Sequence, residues 1–166
     1  MWISRQVWLR EWKWRVVDGE WRFFGGLEGE EGRVMTLQVR VISGQQLPGT
    51  KDGGGAAGRL IHSPPWVEIE VVGSEADCMR YKTKPSSSGG FNAIWKEEFR
   101  FQVLDPGLAV LRFCVISSEN RLTNEVIGRY SIALDNLELG YRHVPLLNRN
   151  GEVIPFSTLF LHLSMM

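Results

Sequence analysis

From residue 34 onward one pattern recurs along the chain. Apolar and polar residues alternate over short segments, and glycine, proline, asparagine or serine interrupts each segment. Met35, Leu37, Val39 and Val41 alternate with Thr36, Gln38 and Arg40. Val67, Ile69 and Val71 alternate with Glu68 and Glu70, and Met79, Tyr81 and Thr83 with Arg80, Lys82 and Lys84. Phe99, Phe101 and Val103 form a fourth set and Leu111, Phe113 and Val115 a fifth. Ile127 to Leu134, Tyr141 to Leu146 and Thr158 to Leu163 supply the last three. A period of two is the mark of a half-buried strand, because successive side chains leave a strand on opposite faces. Strands at this spacing with turn residues between them predict an all-β, eight-stranded antiparallel sandwich over residues 34–166. Leu37, Val39, Phe101, Phe113 and Leu161 are expected inside it. Only Leu134 to Gly140 leaves room for a helical turn.

Length and charge narrow the function. At 166 residues the chain is too short for a (β/α)₈ barrel, which needs at least about 200. Nineteen Lys+Arg balance nineteen Asp+Glu, so no net positive field favours nucleic acid, and no nucleic-acid partner is expected. No apolar run approaches the roughly 18 residues that span a bilayer. Charges from Arg5 to Glu20 interrupt any signal-peptide stretch. Two cysteines, Cys78 and Cys114, are too few for a disulfide scaffold and read as free thiols. The expected location is cytoplasmic, with peripheral attachment to membranes.

Residues 1–33 differ in composition. They hold five of the seven tryptophans and end in a Gly/Glu run that reads as a linker. Trp12 to Val17, Asp18-Gly19 and Glu20 to Phe24 read as a hairpin on an Asp-Gly turn. Alone, such a hairpin is marginal. It either packs on the sandwich, dips into a membrane interface, or belongs to a leader that stays poorly ordered.

Several segments of residues 34–166 resemble the C2 domain of phosphoinositide-specific phospholipases C, nearest the delta and zeta types. They are LQVRVISGQQLP (Leu37 to Pro48), GFNAIWKEEFRF (Gly90 to Phe101), LAVLRF (Leu108 to Phe113), GYRHVPLL (Gly140 to Leu147) and TLFLH (Thr158 to His162). The resemblance is to an accessory module; in the family a separate barrel does the hydrolysis. Here the histidines are His62, His143 and His162, read as structural or solvent-facing, and no nucleophile–base arrangement can be assembled. The resemblance therefore implies a non-catalytic module of lipid signalling that docks on anionic phospholipid membrane. Two other readings stay open: a fragment of a complete phospholipase C that lacks the active site, and a sandwich that binds other protein domains.

The resemblance also bears on calcium, which many C2 domains hold between end loops. Ca²⁺ takes six to eight oxygens. Where the family places Asp, this chain has Pro64-Pro65 before Trp66, and Ser117, Ser118 and Glu119 stand in the later acidic loop. Asp52, Glu119 and Glu125 remain as weak metal candidates, so no cofactor is expected and Ca²⁺ is disfavoured. The candidate lipid contacts are Arg80, Lys82 and Lys84, which the alternation places on one strand face. Against them stand Glu98, if it lies across, and the acids Glu68 and Glu70, read as another strand's polar face. The loop Gly53 to Arg59 lacks the Lys-Ser/Thr and the following helix of a phosphate-binding loop and reads as surface.

Overall fold

The structure is a computed structural model that describes residues 12–17, 20–25, 34–49, 64–118 and 124–166. The chain divides into two units, Met1–Arg33 and Val34–Met166. In the first, β1 (Trp12–Val17) and β2 (Glu20–Gly25) pair antiparallel, with Trp14 opposite Phe23 and Arg15 opposite Arg22. The Asp18-Gly19 turn and the linker beyond Gly25 lie outside the described residues.

The second unit contains the eight expected strands: β3 (Met35–Gln45), β4 (Trp66–Val72), β5 (Met79–Lys82), β6 (Ala93–Val103), β7 (Val110–Ser118), β8 (Asn124–Ala133), β9 (Gly140–Leu147) and β10 (Val153–Met165). All pairings are antiparallel, in the order β5-β4-β7-β8-β9-β10-β3-β6. Between β8 and β9 the register reduces to one pair, Arg129 opposite Leu147. That seam divides the strands into two four-stranded halves, which face each other across the core.

The inward positions are those set by the alternation. Leu37, Val39, Phe101, Phe113 and Leu161 are all wholly buried, joined by Val67, Ile69, Leu111 and Leu146. The outermost strands, β5 and β6, meet through their rings. Tyr81 stacks on Phe99 at 5.5 Å and meets Phe101 edge-on at 5.1 Å. Ring contact between these strands brings the sandwich near closure. Trp95 adds a polar tie, its indole N–H donating to the carbonyl of Pro65 at 3.0 Å.

Helical structure among the described residues is confined to two single 3-10 turns. Leu134–Asn136 falls where the alternation stops. Glu75–Asp77 falls between β4 and β5, a segment with no periodicity to announce it. The third predicted strand is shorter than its alternation. β5 ends at Lys82, and Lys84 lies beyond it, where the following Pro85 has no N–H to extend the ladder.

Candidate functional site

Residues directly opposite one another in paired strands share a sheet face. Arg80 of β5 stands opposite Glu70 of β4, which stands opposite Arg112 of β7. One step along, Lys82 faces Glu68, Glu68 faces Cys114, and Cys114 faces Arg129 of β8. The outer surface of β5-β4-β7-β8 thus gathers Arg80, Lys82, Arg112 and Arg129, all exposed, around Glu68 and Glu70. Lys84 continues the exposed series beyond the strand, while its backbone N–H donates to a Glu97 carboxylate oxygen at 2.7 Å.

The acids and bases are therefore not on separate surfaces. Glu68 and Glu70 lie among the cations, while Glu98 lies on β6 opposite Arg40, away from them. Glu70 bridges Arg80 at 2.9 Å and also bridges Arg112. Burial alone would raise the Glu70 pKa, but hydrogen bonds and charge from Arg80 and Arg112 outweigh it and hold the carboxyl below its usual range. Five cations against Glu68, Glu70 and, at Lys84, Glu97 leave the face positive in a chain whose formal net charge is zero. Arg129 also donates to the carbonyl of Arg149 at 2.9 Å. In the middle of the face, burial pushes the Cys114 thiol pKa up, with lesser charge effects, so at neutral pH it is a protonated thiol. Both Cys78 and Cys114 are free.

The strand ends that precede residues 50–63 and 119–123 lie at one end of the sandwich, with the 84–92 loop and the β9–β10 turn. Of the metal candidates, Glu125, the second residue of β8, stands directly opposite the buried Ser117 and bridges Arg149 at 3.1 Å. Asp52 and Glu119 lie outside the described residues, as do His62 and the Gly53 to Arg59 loop. Among the described residues no three His, Cys, Asp or Glu side chains gather as a metal site. His143 stacks on Phe160 at 4.4 Å and His162 packs on Tyr141 at 4.5 Å, so both imidazoles belong to an aromatic ladder on β9 and β10.

A family model described as "C2 domain" matches residues 35–147. Over 128 residues the chain is 40% identical to the mouse (Mus musculus) protein named inactive phospholipase C-like protein 2, a match covering 77% of this chain and 11% of that protein. Over 129 residues it is 38% identical to human (Homo sapiens) 1-phosphatidylinositol 4,5-bisphosphate phosphodiesterase delta-1, covering 78% and 16%. Among solved structures, PLC21 of S. officinalis superposes with a TM-score of 0.65 at 29% identity, covering 80% of this chain and 16% of that one. The chain thus spans under a fifth of the length of these relatives. No helix among the described residues is long and apolar enough to cross a membrane.

Proposed function

The chain belongs to the C2 domain family and is related to the C2 regions of phospholipase C proteins, and from that premise we propose that it is a non-catalytic module that docks on anionic phospholipid membrane. The observation that carries the proposal is the cationic excess on the outer face of β5-β4-β7-β8. Arg80, Lys82 and Lys84 head that surface, and Arg112 and Arg129 extend it inward. Each cation near an anionic leaflet contributes about 1 kcal/mol. That is enough for reversible docking and too little for permanent anchoring. The relatives include a protein named inactive and one named a phosphodiesterase, so possession of this module does not by itself carry hydrolysis. Docking in this reading is independent of Ca²⁺, because Pro64 and Ser117 supply no carboxylate and Glu125 is engaged by Arg149.

Co-sedimentation with vesicles containing acidic phosphoinositide tests the reading. Binding weakens as salt rises, since exposed charges are screened within about 8 Å at physiological ionic strength, and it survives chelation of Ca²⁺. Replacing Arg80, Lys82 and Lys84 together by Ala removes up to about 3 kcal/mol, roughly a hundredfold in affinity. Equal binding by the triple variant and the parent refutes the face as a lipid contact. A second reading, docking against other domains of a phospholipase C, draws support from Glu70, which already neutralises part of the face. It takes over if the parent ignores vesicles.

A further inference from the structure

Between β5 and β6 the chain passes through three consecutive serines, and the fold treats them differently. Ser86 is buried. Its backbone N–H donates to the Pro65 carbonyl at 2.8 Å, and its hydroxyl oxygen accepts the N–H groups of Ser88 at 3.3 Å and Ile94 at 3.1 Å. Ser88 is exposed, but its hydroxyl donates to the Asn92 carbonyl at 3.1 Å. Ser87 is exposed, and among the described residues its hydroxyl has no hydrogen-bond partner. The loop is thus pinned on both sides of Ser87 and offers that one hydroxyl to solvent. Gly89 follows with φ +91°, and a Cβ there would meet nothing within 4 Å, so nothing crowds the chain just beyond it.

The residues before Ser87 identify what would use it. Lys84, Lys82 and Arg80 lie three, five and seven residues upstream, all exposed. No acidic residue occurs from Cys78 to Lys96. Cations N-terminal to a free hydroxyl suit the acidic substrate groove of a Ser/Thr kinase, where charge pattern selects the serine that reacts. Pro85 biases Lys84 toward an extended backbone, the form in which a segment lies along such a groove. Other serines fit less well. Ser74 donates to the Asp77 carboxylate next to Glu75. Ser131 lies within β8, paired to Arg112 of β7.

We infer that Ser87 is a phosphorylation site for a basophilic Ser/Thr kinase, and that its phosphate releases the cationic face from anionic membrane. The Ser87 hydroxyl oxygen attacks the γ-phosphorus of Mg²⁺-bound ATP. The bond from that phosphorus to the β–γ bridging oxygen breaks, ADP leaves, and the hydroxyl proton passes to the kinase's catalytic base. The product carries about −1.5 to −2 charge at pH 7, three residues from Lys84. The inference rests on the docking proposed above and adds a means of release. Countering that much of the face's charge lowers vesicle affinity about tenfold to thirtyfold.

The full chain is incubated with Mg-ATP and the catalytic subunit of cyclic-AMP-dependent protein kinase, and tandem mass spectrometry locates the phosphate. It is expected on Ser87, and Lys84→Ala slows its incorporation. Ser87→Ala takes none there, yet melts and binds phosphoinositide vesicles as the parent does, since the hydroxyl holds nothing in place. Phosphate only on other residues, or none, overturns the site. The purified phosphoprotein is then sedimented with the same vesicles. If it binds like the unmodified chain while the Arg80/Lys82/Lys84 variant is weakened, the face docks but Ser87 does not control it, and this inference fails alone. If that triple variant binds as the parent does, the docking reading falls and the release falls with it.

Discussion

The carboxylate of Asp77 accepts the backbone N–H of Leu104 at 2.6 Å, across 27 residues of chain. The same wholly buried carboxylate accepts the N–H of Asp105 and the hydroxyl of Ser74, each at 2.9 Å. It stitches the 3-10 turn before β5 to the end of β6. Burial alone would raise the Asp77 pKa, but these three donors outweigh it and the value is lowered.

Asp77→Ala strips the charged acceptor from two N–H groups. Leu104 is exposed and Asp105 half-buried, so water replaces it in part, and the loss is at most that of hydrogen bonds to a charged group, about 1.5–3 kcal/mol each. The midpoint of urea unfolding falls accordingly, and Asp77→Asn recovers only part of the loss because its amide offers one oxygen. The pH dependence has a definite sign. A carboxyl whose folded pKa lies below its unfolded value, about 3.9, contributes full stability above that value. The contribution is lost as pH falls from there through the folded pKa. Wild type therefore loses stability below about pH 4 more steeply than Asp77→Ala, and unfolding curves between neutral pH and about pH 2.5 show the two converging.

Glu70 sits between Arg80 and Arg112 and cancels part of the cationic face. Glu70→Gln keeps the shape and removes the charge. The ion pairs are partly exposed, so the stability cost is at most about 1 kcal/mol. On phosphoinositide vesicles the same change strengthens binding about fivefold, since one more cation at an anionic surface is worth about 1 kcal/mol. Unchanged or weaker binding by Glu70→Gln shows that this face is not the one that meets lipid.

Two kinds of information differed in how far the chain alone disclosed them. Strand identity was local: Leu37, Val39, Phe101, Phe113 and Leu161 alternate with polar residues, and each is wholly buried. Which strand lies beside which is not local. Glu68 and Glu70 read as another strand's polar face, yet the β4–β5 pairing puts them opposite Lys82 and Arg80. A signal existed, because strands consecutive in sequence usually pair. Arg112 alternates outward between the buried Leu111 and Phe113, and Arg129 between the buried Gly128 and the half-buried Tyr130, but they join the face only because β7 crosses to lie beside β4. Asp77 carries no signal in the sequence, since its donors arrive from a segment far along the chain. The register break over residues 154–157 is likewise encoded by no alternation.

The seam between the two halves makes a third prediction. Gly128 is buried beside the single β8–β9 pair, and a Cβ there would lie 2.9 Å from Leu146 Cδ1 and 3.1 Å from its Cβ. Leu146 is itself wholly buried, so it has little room to retreat. Gly128→Ala overpacks the seam and costs about 1–3 kcal/mol. Pairing it with Leu146→Val restores part of the stability, a coupling that a double-mutant cycle in urea reads directly.

Calcium makes the last prediction. A sensor-range site needs several carboxylates converging on six to eight oxygens. At the strand ends that frame the end loops, the chain offers Pro64 before β4 and the buried Ser117 on β7. Glu125, opposite Ser117 in register, bridges Arg149 at 3.1 Å. An incoming divalent cation must therefore break an ion pair and find its other ligands in Asp52 and Glu119. Calorimetric titration is expected to give no dissociation constant between about 10⁻⁷ and 10⁻⁵ M, and thermal unfolding should ignore millimolar Ca²⁺. Arg149→Ala adds a control, because it releases Glu125 from that bridge. If this variant gains Ca²⁺-dependent stabilisation while the parent has none, the arginine bridge itself holds the loop end against the metal. A sensor-range constant in the parent shows that the three remaining carboxylates suffice, and docking then loses its Ca²⁺ independence.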